Sequence, residues 1–312
     1  MKSVQGNIKG HASALITILI WGTTFISTKL LLTNFKPIEI LFYRFCIGLL
    51  ILLIVHPRFL RNTTKKQEIT FAAAGLCGIT LYYLLENIAL NYTWSSNVGI
   101  IVSVAPFLTV LLNWVFEREK PKFNFFIGFI ISIAGIILIS YNGSVLLHLN
   151  PIGDILAFLA AIVWAFYSIL SKKISQFKYN AIQVTKRTFF YGILFMTPML
   201  LVFHFNLGIT RFAHPVNIFN ILFLGLGASA LCFVTWNLAV RFLGAVKTSI
   251  YIYIVPVVTV ITSAIVLHEK ITWMTVGGVI LTLGGLFLSE TKSIFQRGKK
   301  NGRTRYEMCD DN

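Results

Sequence analysis

Few side chains in this sequence could do chemistry, and the conspicuous ones sit among apolar neighbours. Residues 81–90 read LYYLLENIAL, placing a carboxylate and an amide, Glu86 and Asn87, inside a long greasy run. Residues 43–52, YRFCIGLLIL, hold one guanidinium, Arg44, in the same kind of setting. Groups of this sort can bind an opposite charge, exchange a proton or pair with each other. Hydrolysis or group transfer would need a base with a nucleophile, or a set of metal ligands. The six histidines (11, 56, 148, 204, 214 and 268) lie at or near the ends of apolar segments, and no HExxH motif or paired interior carboxylates occur. A GxxxxGK[ST] phosphate loop is also missing, which disfavours a primary pump. Cys46, Cys77, Cys232 and Cys309 show neither paired nor metal-type spacing. No enzyme activity, cofactor or metal is expected.

The surroundings of these residues are set by composition. The chain has 312 residues, of which 56% are hydrophobic and only 12% charged. A soluble domain is about a quarter charged, so too little polar surface exists to cover a globule. The sequence reads as an integral membrane protein whose principal partner is the lipid bilayer. Its net charge of +16 does not call for nucleic acid, because membrane proteins gather Lys and Arg in cytoplasmic loops. After Lys2 and Lys9 the chain enters an apolar run without an A-x-A-like cleavage site, so no removed leader is expected.

Apolar runs of about 20 residues, enough to cross about 30 Å of hydrocarbon, can be drawn ten times. They are 11–31, 37–55, 69–91, 96–116, 123–141, 154–172, 181–204, 216–239, 246–267 and 271–290. The order contains a duplication. One offset lays Trp21 on Trp164, Lys29 on Lys172 and Arg44 on Arg187. A slightly longer offset lays Asn87 on Asn237, Ala89 on Ala239, Pro106 on Pro256, Gly128 on Gly278 and Gly135 on Gly285. The expected fold is all-α, with ten transmembrane helices as two five-helix repeats, 11–141 and 152–290, and a basic tail, 291–312. An odd helix number inverts the second repeat relative to the first, an architecture of secondary transporters with a midplane site between the halves. About twenty Lys and Arg fall on the side holding both termini and about four on the other, which places both termini in the cytoplasm of a cell-membrane protein.

The motifs also carry a resemblance. WGTTFISTK (21–29), YRFCIGLLIL, ALNYTWSSNVGIIVSVAPFLTVLLNWVFEREK (89–120) and GDILAFLAAIVWAFYSILSKK (153–173) resemble the drug/metabolite transporter superfamily, and its ten-helix EamA type most closely. The resemblance spans 11–290. It implies a secondary transporter that exports or exchanges small metabolites by alternating access, with amino acids as leading cargo and sugar phosphates or nucleotide sugars as the alternative.

Candidate residues follow from depth and type. Glu86 lies about 7 Å, and Arg44 about 10 Å, from the same outer face at 1.5 Å per residue. An Arg44–Glu86 ion pair is therefore expected. It is either a fixed bridge between helices or one for which substrate or a proton competes, and buried pairs serve both ends. In the second half Arg187 keeps the arginine's place while Trp236 takes that of Glu86, suggesting a cation–π contact. Cavities for small metabolites are apolar and aromatic with a few placed polar groups. Trp21, Thr24, Tyr82, Tyr83, Glu86, Asn87, Trp164, Tyr167, Trp236, Asn237 and Tyr253 are the candidate lining, with Thr28, Ser168 and Tyr251 nearby, although aromatics also gather at membrane interfaces for structural reasons. Pro106 and Pro256 are expected mid-helix, as static kinks or as mirrored hinges. Glycines 128, 135, 278 and 285 mark close helix packing, and Glu119 and Glu269 read as interfacial anchors. Lys186 with Arg187 is the one adjacent basic pair that could hold phosphate. A membrane enzyme, or a purely structural protein, is the rival from another class. A monomer is compatible with all of this, and the sequence sets no oligomeric state.

Overall fold

A computed structural model describes residues 2–92, 95–118, 121, 123–141, 151–266, 272–274, 276–285 and 287–289. Glu119, Glu269 and the tail 291–312 lie outside these described residues. The described chain is a bundle of helices without strands. The first three are Lys2–Leu31, Pro37–Val55 and Lys65–Tyr92. The fourth is split into Ser95–Val102 and Ala105–Glu117, and the fifth is Phe123–Tyr141. The sixth to eighth are Pro151–Ser175, Ala181–Val202 and Pro215–Leu243. The ninth is Ala245–Ile250, a 3₁₀ turn Tyr251–Ile254, and Val255–Val266. The tenth runs over 276–285 and 287–289.

Local chemistry explains these limits. Pro37 occupies the start of the second helix, where its missing N–H costs nothing. The Glu39 carboxylate there accepts from the Lys36 backbone N–H at 2.8 Å. Thr64 and Gln67 cap each other's backbone at the start of the third helix, the reciprocal box that satisfies two orphan donors. Gly244, at φ +84°, ends the eighth. Among the described residues, five helices are long and apolar enough to cross a membrane by themselves.

Contacts between helices respect the duplication. The first helix packs along the eighth and the third along the sixth, which are the same contact with the halves exchanged. The second packs on the seventh. Both the third and the eighth helices contain a π-helical stretch, Leu76–Leu81 and Phe223–Leu231, and the longer sequence offset lays the end of one on the end of the other. Rare π turns tend to be kept at functional positions, and these two flank the centre of the bundle.

The prolines are not mid-helix. Pro106 and Pro256 each sit within the first two residues of a second half-helix, after a break at Ser103–Val104 and at the 3₁₀ turn. Proline removes one donor and sets φ for a first turn, so it starts the second half better than it bends a continuous rod.

Helices five and ten meet backbone to backbone. A Cβ on Gly128 would lie 2.6 Å from the Gly285 carbonyl oxygen, and one on Gly135 2.6 Å from that of Gly278. A Cβ on Gly285 would lie 2.5 Å from the Gly128 oxygen, whereas one on Gly277 meets only Leu138 at 3.6 Å. Gly285→Ala is therefore expected to destabilise by about 1–3 kcal/mol through overpacking, while Gly277→Ala is neutral or slightly stabilising. Thermal unfolding in detergent checks this; equal transitions for the two variants would remove the close-approach argument.

Candidate functional site

A cavity of about 40 Å³ lies between the halves, walled by Trp21, Thr24, Phe25, Tyr82, Tyr83, Glu86 and Trp164 with Gly99, Val102, Ser103, Ile252 and Val255. That is room for roughly three waters, too little for a metabolite, so the state described is nearly closed. Val102 and Ser103 come from the break in the fourth helix, and Ile252 and Val255 from the break in the ninth. Interrupted helices meeting near a bundle's centre are where membrane transporters expose free backbone groups to a ligand.

The wall is aromatic with few polar atoms. Trp164 packs on Tyr82 at 4.7 Å between ring centroids, on Tyr167 at 5.0 Å and on Trp21 at 5.2 Å. Most hydroxyls and ring N–H groups here are spent locally. Trp21 Nε1 donates to the Ala228 carbonyl at 2.9 Å, Thr24 to the Trp21 carbonyl at 2.8 Å, and Ser103 to that of Gly99 at 2.6 Å. Two groups are not spent. Glu86, 6% exposed, has Oε2 without a hydrogen bond among the described residues, and Trp164 has Nε1 without one. An orphaned acceptor and an orphaned donor on one cavity wall are a costly arrangement, because each forfeits its solvation.

The expected ion pair between Arg44 and Glu86 is not formed. Ion pairs among the described residues are Lys172–Glu117, Arg187–Glu68 and Arg211–Glu39. Arg44 instead donates from Nε to Ser229 Oγ at 3.0 Å and lies over the Tyr83 ring at 4.4 Å. Ser229 belongs to the π-helical stretch of the eighth helix, and Tyr83 lies on the third.

Arg187 does not lie over Trp236. It grips Glu68 through Nε at 3.0 and 3.2 Å and Nη2 at 2.7 Å, and its guanidinium lies 5.7 Å from the Tyr191 ring centroid. The third helix begins at Lys65, four residues before the apolar run drawn from sequence, and this extra turn brings Glu68 to Arg187. Lys186 is also engaged, with the His56 carbonyl and, at 2.8 Å, that of Arg58.

The remaining candidates separate into wall and support. Asn87 turns from the cavity and donates to the Pro37 carbonyl at 3.3 Å. Asn237 joins Thr185 at 3.0 Å and Ser171 at 2.9 Å. Tyr253 is fully buried against Phe129 and Ile133, away from the wall. Tyr167 and Trp236 form a second layer behind it, Trp236 lying 5.1 Å from Trp21 and 5.6 Å from Trp164. The mirror offset lays Tyr83 on Phe233 and Glu86 on Trp236. Apolar bulk fills the second half's counterpart of the site, so the carboxylate wall is one-sided. Phe25, Gly99, Val102, Ser103, Ile252 and Val255 were missed from the sequence; the mirrored Pro106 and Pro256, taken as first-turn residues, would have pointed to the breaks that supply the last four.

Both ends of the bundle are tied. At the end rich in Lys and Arg, Lys172 on the sixth helix holds Glu117 and, at 3.0 Å, Asn113 on the fourth. At the other end Arg211 clamps Glu39 at 2.6 Å and the Asn34 carbonyl at 2.9 Å, and Lys29 donates to the Leu90 carbonyl at 2.7 Å.

Comparison with known proteins places these features. The EamA-like transporter family matches residues 8–141 and again 151–291. An "uncharacterized transporter" of Archaeoglobus fulgidus is 28% identical over 92% of this chain and 99% of its own. The "uncharacterized transporter YvbV" of Bacillus subtilis is 28% identical over 91% of this chain and 92% of its own. A "probable terminal-alkyne amino-acid exporter" of Streptantibioticus cattleyicolor is 23% identical over 90% of this chain and 93% of its own. A solved structure, "Crystal structure of protein", superposes with a TM-score of 0.73 at 17% identity, over 91% of this chain and 97% of its own, a likeness of fold.

Proposed function

Since this chain belongs to the EamA-like transporter family, a membrane transporter by family and by its relatives, we propose that it exports small metabolites, amino acids or related compounds first among them, by secondary active, alternating-access transport. The observation that carries the reading is a single carboxylate, Glu86, on an otherwise uncharged aromatic wall. A carboxylate in low dielectric selects a protonated amine, and the Trp and Tyr rings suit an apolar body beside it. Phosphorylated cargo is less well served. It would want several free Lys or Arg, and Lys186 and Arg187, the pair singled out for that role, are engaged elsewhere. The relative named "probable terminal-alkyne amino-acid exporter" supports the reading.

The proposed cycle uses parts already in place. The basic end faces the cytoplasm of a cell-membrane protein. There the Lys172–Glu117 tie closes the path between the fourth and sixth helices, and breaking it opens the cavity inward. The starts of the half-helices at Pro106 and Pro256 are the hinges. A proton on Glu86 is the proposed coupling device. Purified protein in liposomes should take up labelled neutral amino acids saturably, and an imposed pH gradient should change the rate. Absence of saturable flux for an amino-acid panel would defeat the cargo assignment.

A further inference from the structure

We propose that the cargo is bound as a zwitterion, its ammonium on Glu86 and its carboxylate on Arg44, and that the Tyr83 ring is the shutter that admits Arg44 to the cavity. This rests on the amino-acid reading above. Arg44 is 1% exposed and deep in its helix, yet among the described residues it touches no carboxylate and leaves Nη2 without a hydrogen bond. An unneutralised guanidinium in a membrane segment is among the most costly placements a chain can make, and a fixed structural role would be expected to satisfy it.

Arg44 lies over the ring of Tyr83 at 4.4 Å, and Tyr83 shares its cavity wall with the complementary deficit, Glu86 Oε2. Two opposite charges, each short of one partner, are matched by one ligand carrying both. Direct closure of the pair is blocked because the guanidinium is drawn to Ser229 and to the ring face. The two groups that hold Arg44 sit at the mirrored π-helical stretches: Tyr83 follows one and Ser229 belongs to the other. A π turn that reverts to α rotates the residues beyond it, so one local change can move the ring and release the guanidinium together. Trp164 Nε1, also without a partner among the described residues, supplies a second donor for the cargo's carboxylate.

The test is competition against labelled phenylalanine uptake into liposomes at neutral pH without an imposed gradient. Phenethylamine lacks the carboxylate and 3-phenylpropionate lacks the ammonium. Each should compete on the order of a hundredfold less well than unlabelled phenylalanine, since a site built to bind a polar group rejects an analogue without it. Arg44→Gln should bring phenylalanine and phenethylamine to near parity, while Arg44→Lys keeps part of the difference. Equal competition by phenethylamine and phenylalanine in the unaltered protein overturns the proposal while leaving amino-acid transport intact. So does a preserved ratio in Arg44→Gln. Should Arg44→Gln not fold, the analogue ratios of the unaltered protein still decide. No flux of any amino acid overturns the proposal together with the reading beneath it.

Discussion

Glu86→Gln should abolish most transport while leaving the protein at least as stable as before. The amide has the same shape, so wall packing against Tyr82, Tyr83 and Trp164 is kept. What is lost is a charge-assisted bond to the cargo's ammonium, about 1.5–3 kcal/mol, or roughly ten- to a hundredfold in affinity. The stability prediction has the opposite sign. Oε2 has no partner among the described residues, and replacing a buried carboxylate by a neutral amide relieves a desolvation cost. Saturable uptake and thermal unfolding of the same preparation check both halves. A variant that transports normally with an unchanged response to a pH gradient would remove Glu86 from recognition and from coupling; one that loses flux only by unfolding would make it a structural residue.

The second large effect is expected at Trp236. It is fully buried and packs on Trp21, which in turn holds the Ala228 carbonyl. Truncation to alanine should cost about 3–5 kcal/mol, the usual range for an aromatic removed from a core that cannot collapse. Phenylalanine should recover much of this, because the Trp236 ring N–H makes no hydrogen bond among the described residues to lose. Detergent unfolding temperature and yield of monodisperse protein are the measurements. A Trp236→Ala protein as stable as its parent would mean that the mirror half of the site is not tightly filled.

What was legible in the sequence was what repeats or recurs with a period. The duplication showed through Trp21 and Trp164, Arg44 and Arg187, and Pro106 and Pro256, and the apolar runs yielded the helices. The glycine seam was legible because small residues at fixed spacing mean close approach. Side-chain direction was not. Glu86 and Asn87 are neighbours in sequence, yet adjacent residues on a helix point about 100° apart, and of the two Glu86 reaches the wall. Pairings were also hidden when one partner lay at a helix end. Glu68 stood just outside its apolar run, and nothing in the spacing tied it to Arg187. The breaks in helices four and nine were obscured because proline has two uses, and the apolar sequence around Ser103 and Tyr253 favours neither.

The seam between helices five and ten has a consequence for symmetry. Gly128 faces Gly285 and Gly135 faces Gly278, while the duplication equates 128 with 278 and 135 with 285. Exchanging the halves therefore returns the same set of contacts. This is the self-matching surface that two identical subunits make about a twofold axis, here carried on one chain. A five-helix unit set against an inverted copy of itself would close the same seam. With both halves on one chain, neither has to be its own partner. One half can then keep a carboxylate at position 86 while the other fills the matching place with Trp236, giving a symmetric scaffold a site with a single sense.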